Sequence, residues 1–165
     1  MPYGLLQDLL GDIEIFLRFE IMTLNFTSQI STTEEQSKRL LALGLKKETA
    51  DMSYRIHYFD FDGMLLECIH TLEPDPPFNN DRFIPAWSLN RLIEMMPNNI
   101  RVYDSIASLI VSNEKVQYYF HDVEYSDYLT SVGRWKSGDI YDNIIDCIEW
   151  LIKEGYFNKE YLERI

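Results

Sequence analysis

The stretch IPAWSLNRLIEMMP, residues 84–97, decides how the chain is read. Ser88 stands where a helix N-cap belongs, its hydroxyl free to accept from the first unpaired N–H groups. Leu89, Leu92, Ile93 and Met96 follow at i, i+3, i+4 and i+7, which places them on one helical face. Pro97 lacks the N–H that a further turn needs, so the helix stops before it. Trp87 precedes the cap, in the staple position, and is expected to pack on Leu92 at N4. A helix that is apolar on one side requires a floor. Those four side chains are therefore predicted core.

The neighbouring segments supply that floor. Residues 54–60 alternate, with Tyr54, Ile56 and Tyr58 on one face and Arg55 and His57 on the other, as in a half-solvated strand. MLLECIHTL at 64–72 follows as a second strand, which makes a hairpin around 60–63. EPDPPFNNDR at 73–82 reads as a loop. Segments 105–111 and 115–122 flank the turn SNE and form a second hairpin. A terminal helix over 139–154 carries Ile140, Ile144, Ile145, Ile148, Leu151 and Ile152, with Ser137 as its cap and Gly155 as its stop.

Upstream, STTEEQ offers a capping box in two registers, Thr32 with Glu35 or Thr33 with Gln36. The helix it starts ends at Gly44, and a short helical turn follows with Ala50 and Met52 turned inward. Residues 3–24 have a wide apolar face and acidic polar positions, the pattern of an amphipathic N-terminal helix. The expected class is α+β: a small antiparallel sheet of two hairpins, with the helices of 88–96 and 139–154 on one face. The expected organisation is an N-terminal helix and linker at 1–32, with a natural start at Met22 as an alternative, and one domain over 33–165.

The composition limits what such a domain does. With 46% apolar and 14% aromatic residues the chain can offset its ordering entropy and fold. It has 15 basic and 27 acidic residues, net −12, which argues against broad binding to nucleic acid or anionic membrane. A partner, if recognised by net charge, would be basic, which leaves an acidic inhibitor or immunity-type protein as one reading. Cys68 and Cys147 are the only cysteines and form no CxxC. Both sit among apolar residues, as small buried hydrophobes in a reducing cytoplasm. No apolar run approaches the roughly 20 residues of a membrane span.

One motif suggests chemistry. FDFDGML at 59–65 resembles the first motif of the haloacid-dehalogenase-like phosphatases. That resemblance implies Asp60 as nucleophile, Asp62 as general acid and base, and Mg²⁺ bridging carboxylate and phosphate. The family's strand is central and parallel, apolar on both faces, whereas Arg55 and His57 make one face of this segment polar. Asp62-Gly63 is also a common hairpin turn. A metal set of His57, Asp60 and Asp62, joined by His70 or His121, is the weaker alternative, and His70 near Cys68 would be needed for a thiol nucleophile. Outside these readings no cofactor is expected.

Three segments, LLALGLKKETADM at 40–52, IPAWSLNRLIEMMP at 84–97 and IYDNIIDCIEWLIKEGYF at 140–157, together resemble a group of small proteins from gut bacteria and their phage-like mobile elements. The resemblance covers residues from about 33 onward and implies a genomic setting without an activity. The leading expectation is a non-enzymatic, cytoplasmic protein-interaction module. Phe78, Phe83 and Trp87, where the Pro-rich segment meets the helix, are its expected contact residues.

Overall fold

The computed structural model describes residues 29–61, 64–74, 83–120, 131–136 and 138–163, with backbone alone at 59, 61 and 64–70. The expected N-terminal helix, Asp62, Phe78, His121 and Ser137 lie outside the described residues, as do the side chains of Cys68 and His70. The fold is α+β. The α-helices among the described residues are α1 (Glu34–Ala42), α2 (Leu89–Met95) and α3 (Ile140–Lys153).

The two expected hairpins are present but belong to different sheets. The first joins β1 (Met52–Phe61) to β2 (Met64–Pro74), and β3 (Phe83–Ala86) adds to it in the order β2-β1-β3. The second joins β5 (Ser105–Ser112) to β6 (Lys115–Phe120), flanked by β4 (Asn99–Val102) and β7 (Ser131–Trp135) in the order β4-β5-β6-β7. All pairings are antiparallel. The single small sheet expected from the sequence is thus two sheets: among the described residues no strand of the first hairpin pairs with one of the second, and β3, β4 and β7 add to them at the edges.

Helix boundaries follow local chemistry. Thr33 caps α1, with Gln36 reaching back to the Thr33 N–H, so the second of the two capping registers forms. Asp139, not Ser137, caps α3 by accepting from the Asp142 N–H. The ends of α1 and α3 are matched. Gly44 (φ 88°) and Gly155 (φ 79°) adopt the left-handed conformation that other residues resist. In each, the next N–H reaches back five residues, Leu45 to Leu40 and Tyr156 to Leu151, which is the Schellman arrangement. At the end of α2, Met96 is pushed into the extended region (φ −82°, ψ 141°), as the residue before a proline must be.

The core lies where α3 covers the inner face of the four-stranded sheet and α1 and α2 close over α3. Ile144, Ile145, Ile148 and Leu151 of α3 meet Val116 and Tyr118 of β6 there, with Leu92, Met95 and Met96 from the α2 stretch. Leu89 and Ile93 pack against this cluster from its margin, and Met95 is a core residue that the sequence reading omitted. Trp150 stacks obliquely on Trp135 and Tyr156 at 5.5 and 5.6 Å, joining α3 to β7 and to the chain beyond its stop.

Candidate functional site

Trp87 is 0% exposed and belongs to the core. As a contact residue it is therefore corrected: its indole is turned inward, and its Nε1–H donates to Thr49 Oγ1 at 2.9 Å. Its backbone is held equally well. The Thr32 N–H donates to the Trp87 carbonyl at 2.9 Å, and the Trp87 N–H donates to Thr32 Oγ1 at 3.0 Å.

Ser88 completes this knot in a way local sequence does not announce. In a capping box the third helical residue accepts from the N-cap N–H. Here that residue is Arg91, which has no acceptor. Asp51 takes the role from 37 residues away, accepting the Ser88 N–H at 2.8 Å and the Ser88 hydroxyl with its other oxygen. Ser88 Oγ accepts in turn from the Arg91 N–H. Arg91 Nε donates to the Thr49 carbonyl at 2.8 Å, and its guanidinium lies 5.8 Å from the Tyr161 ring centroid. The Tyr141 hydroxyl is buried beside the Leu89 backbone, and burial raises its pKa. These groups fasten the start of α2.

The other described sequence candidates are Phe83, Asp60 and His57. Phe83 is half-buried at the start of β3, with the Arg55 guanidinium 5.9 Å from its ring centroid. Asp60 is exposed near the end of β1, whose neighbours β2 and β3 are both antiparallel, unlike the central parallel strand that the phosphatase resemblance implies. His57 Nε2 is 2.9 Å from Thr71 Oγ1 on the adjoining strand. Among the described residues no three histidine, cysteine, aspartate or glutamate side chains gather as a metal site requires. Cys147 is fully buried and its thiol pKa is pushed up, chiefly by desolvation and further by Asp146, the reverse of what activates a nucleophile.

The outer face of the four-stranded sheet is exposed along β5 and at Arg101 and Arg134, while Gln117 between Ile110 and Arg134 is buried. Along β5 the side chains alternate. Ala107, Leu109 and Val111 turn to the core, and Ile106, Ser108 and Ile110 turn away from it. A solvated sheet face is ordinarily polar. Here Ile106 is 48% and Ile110 36% exposed.

The register places Arg101 opposite Ile106 on β4, and Arg134 opposite Gln117 on β7, with Gln117 itself opposite Ile110. Lys115 lies on the same side of β6. Arg101, Lys115 and Arg134 form no ion pair with a described residue, and the outward strand positions of this sheet carry no carboxylate. Asp104 and Glu114 occur only in the turns at its rim.

The turn between β4 and β5 adds an unusual residue. Tyr103 is 95% exposed and has φ 53°, the only described non-glycine residue with positive φ. For a bulky side chain that conformation is strained, and such strain collects at functional positions. The sequence reading did not single out this surface. Its signal was the alternation of SIASLIVS with apolar residues at both phases, Ala107, Leu109 and Val111 at one and Ile106 and Ile110 at the other, which became legible only once the inward phase was known.

No family model, no curated protein and no solved structure matches the chain.

Proposed function

We propose that the protein is an interaction module that docks a protein partner on the outer face of its four-stranded sheet. The observation that carries this reading is the pairing of two exposed isoleucines with a strained, fully exposed Tyr103 at the corner of the same sheet. A rigid antiparallel sheet backed by α3 holds these groups in place before a partner arrives, which reduces the ordering cost of association. Tyrosine at the corner offers a large contact area at low rotamer cost. The setting proposed with it is that of a cytoplasmic accessory protein of a mobile element, in line with the resemblance of 40–52, 84–97 and 140–157.

The test is site-directed photo-crosslinking in cells that make the protein. A crosslinking residue at Ile110 is expected to yield a discrete adduct, and the same residue at the exposed Glu154 on the far end of α3 is not. Tyr103→Gly is expected to reduce that adduct while raising stability by about 1 kcal/mol, since glycine relieves the positive φ. Equal adducts from both positions, or a Tyr103→Gly variant that is less stable and crosslinks normally, contradict the reading.

A further inference from the structure

We infer that the partner segment taken by this face is acidic and amphipathic, opposite in sign to the partner that the net charge of −12 suggests. The inference rests on the docking reading above and adds the chemistry of what docks. Its ground is the contrast between the molecule and this one surface. The chain has 27 acidic and 15 basic residues, yet the outward positions of the sheet hold Arg101, Lys115 and Arg134 and no carboxylate. At physiological ionic strength charges act over about 8 Å, so a docked segment responds to the cations beneath it and little to the acidic surface elsewhere.

The spacing also favours an amphipathic segment. The exposed isoleucines sit on the central strand β5, and the two arginines flank them on the edge strands β4 and β7. A segment with an apolar stripe over Ile106 and Ile110 would bring carboxylates to both edges at once. Each arginine can engage a carboxylate bidentately, which lysine cannot. Any acidic segment must also avoid the rim turns that hold Asp104 and Glu114, so it is expected to cross the strands and not run out over the turns.

The experiment uses the full chain and two synthetic helical peptides. Each has four leucines at i, i+3, i+4 and i+7; one carries glutamate at its other positions and its counterpart carries lysine. Binding is read by fluorescence anisotropy. The glutamate peptide is expected to bind at least about tenfold tighter than the lysine peptide at about 0.1 M salt, and to weaken as salt rises to about 1 M. Arg101→Glu with Arg134→Glu is expected to lose that preference, while Arg101→Lys with Arg134→Lys keeps most of it. Circular dichroism on both double variants separates lost binding from lost folding, and the exposed positions make intact folding the expected result.

Tighter binding of the lysine peptide, or glutamate-peptide binding that survives Arg101→Glu with Arg134→Glu, overturns the inference while leaving the docking face in place. Binding of neither peptide also overturns it. The docking reading itself stands or falls on the Ile110 adduct.

Discussion

Trp87→Ala is expected to lower stability by about 3–5 kcal/mol, as large-to-small changes at fully buried aromatic sites do. A domain of this size has about 5–15 kcal/mol in all, so the variant should sit near its folding limit. The expectation follows from position. The indole is wholly enclosed, packed in the cluster that contains Leu92 and Ile148, and its N–H is bonded to Thr49. Trp87→Phe keeps most of the volume and loses only that hydrogen bond, so it should cost about 1–2 kcal/mol. Urea denaturation of the two variants checks the ordering. A Trp87→Ala protein as stable as the parent would mean that the indole is not in the core.

The second large effect is expected at Asp51. Its carboxylate accepts both the N–H and the hydroxyl of Ser88, so removing it leaves a helix cap without its partner. Hydrogen bonds to a charged acceptor contribute about 1.5–3 kcal/mol each, and part of that is recovered when water reaches the half-buried site. Asp51→Ala is expected to cost about 2–3 kcal/mol in total. Asp51→Asn keeps one acceptor oxygen and presents an amide donor that Ser88 Oγ can accept, so it should cost about half as much. Equal losses from the two variants would show that the carboxylate acts through its charge and not through these two bonds. Thermal unfolding with hydrogen exchange at the Ser88 and Arg91 amides measures both the loss and its location.

These two residues mark how far the sequence could be read. The helix within residues 84–97 was legible because its cap, its spacing and its terminating proline are all local. The same holds for Gly44 and Gly155, and for the two hairpins, whose β-rich runs flank short turns. Asp51 was not legible as a cap because its partner lies 37 residues away, and no local pattern links them. Strand β3 was hidden by Pro85, which reads as a breaker yet is tolerated because β3 is an edge strand. Strand β4 has only four residues and begins on an asparagine, and β7 has a glycine in its middle; both read as connections until a neighbouring strand is present to pair with them.

The proposed docking surface was legible least of all, for a related reason. Net charge is a property of the whole chain, and it pointed to a basic partner. The outer sheet face has the opposite local sign, and that sign depends on which residues of four separate strands share a side. Likewise the Phe83–Trp87 segment has the composition of a contact patch, but Trp87 is consumed by the fold. Sequence identifies the aromatic residue; only the packing decides whether it faces a partner or the core.

The most direct test of where an acidic amphipathic segment docks is a nuclear magnetic resonance titration of the labelled full chain with the glutamate–leucine peptide. The account predicts that backbone amide shifts concentrate at Arg101, Tyr103, Ile106, Ile110 and Arg134, on strands that meet only through sheet pairing. Shifts concentrated instead on α1 and the outer side of α3, around Arg39, Asp146 and Glu149, would contradict it.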